Sequence, residues 1–243
     1  MNRFLRQLAF YSVRCSYDLN LPYLKFITRS DNETVPIRHY HHDDKLPTML
    51  VCNGCYEDIG WTDPVALADK FKVNVCLFEY SGYGMHSCQY STEEYCNQDT
   101  LTVYHYLIEH ISPEKIIIYG RSLGSGPACY LSHLLCENHV CENNIKHRLI
   151  LVSPFLSVGK ALVDCISSKN DIFRNYELAS NINCQVLLIH GDDDYLVPYS
   201  HSERLADLFS NLYKFVTIHN AGHCDIRDYA LYDESMNEFL NQQ

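Results

Sequence analysis

Ser122 stands in Gly120-Arg-Ser122-Leu-Gly124, the pattern Gly-x-Ser-x-Gly, directly behind the apolar β-branched run Ile116-Ile117-Ile118. A run of that composition suits a strand buried on both faces. A serine placed where such a strand turns sharply into a helix is held strained, with its hydroxyl exposed above the sheet. Small residues are required at 120 and 124 because any side chain there would meet neighbouring backbone. The chemistry this permits is nucleophilic attack, and Ser122 is the candidate nucleophile.

A serine hydroxyl is a weak nucleophile at neutral pH and needs a base within hydrogen-bond reach, itself oriented by a carboxylate. Downstream of Ser122 the chain supplies both, in the order acid then histidine. A predicted strand ending at His190 runs into Gly191-Asp192-Asp193-Asp194-Tyr-Leu-Val-Pro198, and one ending near Ile218 runs into Asn220-Ala-Gly-His223-Cys-Asp225. Both loops fall at the carboxyl end of strands, where open α/β sheets place their chemistry. Thirteen histidines are present, so type alone selects none. His223 is singled out by Ala221 and Gly222, which leave room for close approach, and by the acidic loop ahead of it. Among Asp192, Asp193 and Asp194, spacing favours Asp194, just before the Leu196-Val197-Pro198 segment that leads into a helix.

A tetrahedral intermediate needs two preorganised N–H donors for its oxyanion. One is expected from the Leu123 backbone, at the start of the helix behind the serine. The other is expected from Asn53-Gly54-Cys55-Tyr56 after the predicted strand 48–52, where Gly54 lets the chain turn and Cys55 N–H, or in second place Tyr56 N–H, points inward.

Positioning these groups requires a sheet. Predicted parallel strands over 48–52, 73–78, 115–119, 148–153, 185–190 and 214–218 alternate with helical stretches, the signature of a mostly parallel sheet covered on both faces. Residues 24–30 and 35–40, separated by Asp31-Asn32-Glu33, predict an antiparallel hairpin. Ser91-Thr-Glu-Glu94 is a capping box, followed by the apolar stripe Leu101, Tyr104, Leu107, Ile108 and Ile111. Leu205, Leu208, Phe209 and Leu212 predict a second stripe, and Ile226, Tyr229, Met236, Phe239 and Leu240 a last helix. Only a short connection, 154–183, lies where a lid would be inserted, leaving room for one or two helices. Residues 1–243 are expected to form one domain, with 1–23 as an N-terminal segment peripheral to it.

Composition narrows the class. Hydrophobic residues at 47% and charged residues at 20% describe a globular chain. The formal charge of −11, with no long basic cluster, argues against nucleic acid as a partner. No run of about 18 apolar residues exists to span a membrane, and Met1-Asn-Arg-Phe-Leu-Arg-Gln-Leu is not expected to act as a secretory leader. Arg3, Arg6 and Arg14 interleaved with Phe4, Leu5, Leu8 and Phe10 form a short basic amphipathic stretch, a candidate for peripheral contact with a bilayer, although packing on the domain is the simpler expectation. Twelve cysteines, several inside predicted elements (Cys76, Cys129), are expected to be reduced in a cytoplasmic protein. Cys52-x-x-Cys55 has no second pair of matching spacing, and the His39-Tyr-His41-His42 tract is expected to be an exposed polar loop, so no metal is assigned.

Taken together, Phe78-Glu-Tyr-Ser-Gly-Tyr-Gly84, Tyr119-Gly-Arg-Ser-Leu-Gly-Ser-Gly-Pro127, Leu151-Val-Ser-Pro-Phe155, Leu187-Leu-Ile-His-Gly191 with Asp194, and Ala221-Gly-His-Cys-Asp225 resemble the α/β-hydrolases, and more narrowly the alpha/beta hydrolase domain-containing protein 17 family of depalmitoylases. The segments run in family order over about residues 47–240. The resemblance implies an α/β-hydrolase fold with a minimal lid, a nucleophile at Ser122, an acid at Asp194 and a base at His223. It implies hydrolysis of an ester or thioester on an acylated protein, a small ester being the alternative substrate, with neither metal nor organic cofactor. Two departures stand out. Where the family usually has His-Gly-Asn-Ala, this chain has Asn53-Gly54-Cys55-Tyr56, and in place of an N-terminal cysteine cluster it has only Cys15. With Asn2 after Met1 and the ending Asn-Gln-Gln, neither N-myristoylation nor prenylation is expected. The remaining alternative is a catalytically silent hydrolase fold used as a binding module.

Overall fold

In a computed structural model, residues 10, 15–137, 147–162 and 171–242 are described. Eight strands form one sheet in the order β1-β2-β4-β3-β5-β6-β7-β8. They are β1 (Leu24–Thr28), β2 (Thr34–Tyr40), β3 (Thr48–Cys52), β4 (Asn74–Phe78), β5 (Ile116–Arg121), β6 (Arg148–Val152), β7 (Gln185–Gly191) and β8 (Leu212–Ile218). β1 and β2 make the expected antiparallel hairpin, β2 adds antiparallel to β4, and the remaining pairs are parallel. The helices are α1 (Pro64–Phe71), α2 (Glu93–Ile108), α3 (Ser125–Glu137), α4 (Val158–Leu162), α5 (Asn175–Leu178), α6 (Ser200–Ala206) and α7 (Ala230–Leu240).

The central strands are apolar on both faces because each face carries a helical layer. Alternate residues go to opposite sides. Leu50, Ile118, Leu149 and Leu188 pack with Val103, Leu107, Cys129 and Leu131 of α2 and α3. Met49, Ile117, Ile150 and Leu187 pack with Phe71 of α1 and Met236 and Phe239 of α7. The strand order reverses at β3: β4 is laid on one side of it and β5 on the other. Loops leaving the carboxyl ends of β3 and β5 therefore diverge and open a crevice between them, the usual position of a site in an open α/β sheet.

Several local expectations are corrected. The cap of α2 is Thr92, which accepts from Tyr95 N–H at 3.1 Å. Ser91 is drawn away by tertiary structure, its hydroxyl donating to the Ser81 carbonyl. Leu212 belongs to β8 and α6 ends at Ala206, so the stripe from Leu205 to Leu212 crosses a helix end. Ile226 lies in a separate 3₁₀ turn before α7. His39 is in β2, with its Nδ1 at 3.1 Å from the Tyr106 hydroxyl, and burial pushes its pKa down to about 4. Arg3, Phe4, Leu5, Arg6, Leu8 and Arg14 of the N-terminal stripe fall outside the described residues. Phe10 packs edge-on to Phe173, with ring centroids 5.9 Å apart. Among the described residues no helix is long and apolar enough to cross a membrane.

Two buried acids anchor the segment after β4. Asp99, fully buried on α2, accepts from Arg29 Nη1 at 2.5 Å, from Ser81 N–H at 2.7 Å and from the Ser81 hydroxyl at 2.8 Å. Glu79 accepts from Ile59 N–H at 3.1 Å. Burial pushes the Glu79 carboxyl up to about 8, outweighing the Ile59 N–H and Tyr17 hydroxyl bonds that lower it. A raised acid favours the neutral form in the fold. Its stabilising contribution is complete below the ordinary value of 4.5 and is lost as pH rises through about 8. Glu79→Gln should remove that loss. Urea unfolding at pH 5 and pH 9 is expected to show a smaller drop for the variant than for wild type, and an equal drop would refute the assignment.

Candidate active site

β5 ends at Arg121 and the chain turns through a single 3₁₀ turn, Ser122–Gly124, into α3. Ser122 has φ +50°, the left-handed region that costs a non-glycine residue on the order of 1 kcal/mol or more. That conformation is held from behind: the Ser125 hydroxyl donates to the Ser122 carbonyl at 2.7 Å, and Asn175 Nδ2 donates to Ser125 Oγ at 3.2 Å. The glycines are there for close approach. A Cβ at Gly120 would stand 2.6 Å from the Gly124 carbonyl oxygen, and one at Gly124 only 2.0 Å from the Cys52 carbonyl oxygen. Gly124→Ala should therefore push the turn off β3 and lower kcat/KM by about 100-fold or more, the scale expected for misplacing a reacting group by an ångström. Steady-state kinetics on the folded variant measures it, and wild-type turnover would contradict the packing.

Three side chains from three loops meet at this turn. His223 Nε2 lies 2.8 Å from Ser122 Oγ, and His223 Nδ1 lies 2.6 Å from Asp194 Oδ2. Asp194 is 6% exposed and Ser122 8%. Burial pushes the Asp194 carboxyl up, but hydrogen bonds from His190 and His223, the His223 charge and the Val197 N–H outweigh it and hold the carboxyl well below its usual range. An ionised Asp194 only accepts hydrogen bonds, so His223 Nδ1 carries the proton facing it and Nε2 is left to accept from the Ser122 hydroxyl.

The structure separates the three consecutive aspartates. Asp192 faces solvent, accepting from Asn220 N–H at 2.7 Å with His219 Nδ1 at 2.6 Å. Asp193 N–H donates to the Ala221 carbonyl at 3.1 Å. Asp194 alone of the three reaches His223, its other oxygen accepting from Leu196 and Val197 N–H at 2.9 Å each. Leu123 is on the turn behind Ser122 as expected, and the loop carrying Cys55 runs alongside. A Cβ at Gly54 would lie 3.8 Å from Ser122 Cβ. Tyr80, from the segment after β4, donates its hydroxyl to the Asn53 carbonyl at 3.1 Å and ties that loop down. Cys52 is buried at the end of β3 and burial pushes its thiol up to about 12, which leaves it inert as a nucleophile.

Sequence reasoning missed four residues that hold this arrangement. Arg121 donates to Glu57 Oε1 at 3.1 Å and to the His223 carbonyl at 2.9 Å. Arg227 donates to the same Glu57 oxygen at 2.7 Å, while Glu57 Oε2 accepts from Gly54 N–H at 3.2 Å. Glu57 thus links the Gly54 loop, the end of β5 and the histidine loop. Burial raises its carboxyl, but the charges of Arg121 and Arg227 keep it below the ordinary value. His190, fully buried, has Nε2 at 3.2 Å from Asp194 Oδ2 and 3.0 Å from the Val197 carbonyl, and Nδ1 at 2.6 Å from Ser202 Oγ. Both Nε2 neighbours are acceptors, so that nitrogen is the donor and Nδ1 takes the Ser202 proton. An arginine between Gly120 and Ser122 was the available signal for the first pair. Glu57 and Arg227 themselves carry none, since their partners lie on other loops, and His190 carries none although Asp194 is only four positions on, because a histidine at a strand end has no distinguishing pattern.

A sheet of this order, with a strained serine turn at its crevice and a histidine and carboxylate on later loops, defines an α/β-hydrolase. Residues 78–224 match the family described as Serine hydrolase (FSH1), and the chain belongs to that family of hydrolytic enzymes. It is 29% identical over 230 residues to a putative alpha/beta hydrolase, L404, of Acanthamoeba polyphaga mimivirus, covering 90% of this chain and 84% of that protein. It is 28% identical over 203 residues to the alpha/beta hydrolase domain-containing protein 17C of Xenopus laevis, covering 81% of this chain but 62% of that protein. Among solved structures, ferulic-acid-bound Est1E from Butyrivibrio proteoclasticus superposes with a TM-score of 0.70 at 19% identity, covering 89% of this chain and 97% of that one. Mouse alpha/beta hydrolase domain-containing protein 10 gives 0.64 at 17%, with 90% and 98% covered. At those identities the likeness is one of fold.

Proposed function

We propose that this hydrolase cleaves esters and thioesters by acyl transfer to Ser122, with His223 as general base, Asp194 as the carboxylate that orients it, and acylated proteins as the substrate class. The reading is carried by one observation, the hydrogen-bonded chain from Ser122 Oγ through both ring nitrogens of His223 to Asp194. As Oγ attacks the carbonyl carbon, its proton passes to His223 Nε2. The imidazolium so formed is stabilised by Asp194, which stays ionised. The oxyanion develops toward the N–H groups of Leu123 and Cys55. His223 then protonates the leaving alkoxide or thiolate, and water repeats the sequence on the acyl-enzyme.

The substrate class is supported by the rim of the site. Tyr56 (57% exposed) follows Cys55, while Tyr195 (87%) and Leu196 (63%) follow Asp194, so large apolar groups flank the reacting centre on two loops. Such groups suit an acyl chain, and an open rim suits one attached to a bulky protein. The likeness to the domain-containing protein 17C agrees with this. The test is hydrolysis of acyl-thioesters and p-nitrophenyl esters of graded chain length, beside labelling by a serine-reactive fluorophosphonate. Long thioesters are expected to be preferred. Fast turnover of acetyl esters with long thioesters ignored would replace the acyl-protein reading by a small-ester esterase. Absence of both labelling and turnover would indicate a binding module.

A further inference from the structure

The amino edge of the sheet, at the opposite end of the strands from Ser122, brings together three soft donors that the acyl-transfer chemistry does not use. Cys136 is in the last turn of α3, His147 is the residue before β6, and Cys184 is the residue before β7. β6 and β7 are neighbours with Arg148 opposite Gln185, so His147 and Cys184 enter the sheet side by side. The end of α3 comes across them. The two Sγ atoms and a ring nitrogen of His147 all lie within 4.8 Å of one another. His147 is 3% exposed and Cys184 6%, while Cys136 is half-buried and its sulfur accepts from the Asn183 N–H at 3.4 Å.

Metal bonds of about 2.3 Å to sulfur and about 2.0 Å to nitrogen put the ligand atoms of one tetrahedron roughly 3.5–3.8 Å apart. Donors already gathered within 4.8 Å reach that spacing by small side-chain rotations. Two sulfurs and an imidazole suit zinc-class ions and disfavour magnesium and calcium, which take oxygen ligands. Two thiolates also neutralise a divalent cation, so the buried assembly carries no net charge. We infer that Cys136, His147 and Cys184 bind a thiophilic divalent metal ion, zinc by class, which fastens the end of α3 to the amino ends of β6 and β7. Each thiol releases a proton to solvent as the metal–sulfur bond forms, and a fourth position is left for water. The role is structural, so it stands or falls independently of the reaction at Ser122.

The test uses the full chain, reduced and stripped with a chelator, then titrated with Co(II) and followed by the thiolate-to-cobalt charge-transfer band. Saturation at one cobalt per chain, displacement by Zn(II) and a higher melting temperature with Zn(II) are expected. Cys136→Ser and His147→Gln should lose the band or weaken binding by more than about 100-fold. Cys15→Ser, with its sulfur elsewhere, should bind as wild type does. His147 is buried and its variant could misfold, so circular dichroism accompanies each, and the half-buried Cys136→Ser supplies the second reading. The inference is overturned if the folded, reduced wild type shows no charge-transfer band, or if binding is unchanged in both variants. It is equally overturned if peptide mapping finds a Cys136–Cys184 disulfide and the reduced protein takes up no metal.

Discussion

Ser122→Ala is expected to lower kcat/KM for an ester or thioester substrate by about 10⁵-fold, equivalent to about 7 kcal/mol of transition-state stabilisation. The size follows from the geometry. Ser122 Oγ lies 2.8 Å from Nε2 of His223, the proposed base, and is set on the turn between β5 and α3. Asp194→Asn should cost about 10⁴-fold for a different reason. An amide can donate a hydrogen bond toward Nδ1 and so reverse the imidazole tautomer, leaving Nε2 protonated and unable to accept the serine proton. In the proposed mechanism the three residues act as a unit, so Ser122→Ala combined with His223→Ala should be no worse than Ser122→Ala alone. Steady-state kinetics gives the rates, and fluorophosphonate labelling reports the hydroxyl directly: lost in Ser122→Ala, slow in Asp194→Asn. Retention of wild-type turnover by Ser122→Ala would remove the proposed mechanism altogether.

Asp99→Ala should destabilise the fold by about 3–5 kcal/mol, the cost of removing one partner from a buried ion pair. Arg29 and Asp99 are 2% and 0% exposed, and deletion of the carboxylate leaves the Ser81 N–H and hydroxyl without their acceptor and the buried guanidinium with the half-exposed Asp31 as its one remaining carboxylate. Asp31, the other partner of Arg29, is far more exposed at 45%, and Asp31→Ala should cost less than about 1 kcal/mol. Urea unfolding separates the two variants, and an Asp99→Ala loss no larger than that of Asp31→Ala would contradict this account. The effect should also reach the site. Ser81 adjoins Tyr80, whose hydroxyl holds the Asn53 carbonyl of the loop proposed to bind the oxyanion. A loosened Ser81 is therefore expected to lower kcat as well as stability.

The residues around Ser122 were legible in the sequence to different depths. Gly120 could be interpreted because its requirement is local, the Gly124 carbonyl and the Ala128 side chain leaving no space for a Cβ, whereas Gly124 was marked only by the motif, since the backbone that crowds it is the Cys52 carbonyl of β3. The capping of α2 was misread by one residue because Ser91 is claimed by the Ser81 carbonyl, a partner ten positions away. Asp99 sits on α2 between Gln98 and Thr100, and nothing in that helix announces an arginine from the hairpin that neutralises it.

Sequence alone determined the alternation of buried strands and amphipathic helices, the hairpin, the strained serine turn and the chain order of serine, acid and histidine. The elements rest on periodicity and turn sterics, and the order of the three side chains on motifs met in sequence. Tertiary structure decided which of Asp192, Asp193 and Asp194 faces His223, that Glu57 and Arg121 join the loops around Ser122, and that Cys136, His147 and Cys184 share one corner of the sheet. Those choices depend on how parallel strands are ordered and how their loops diverge. That order brings Ser122 and His223, 101 positions apart, within a hydrogen bond of each other, a proximity no local pattern encodes.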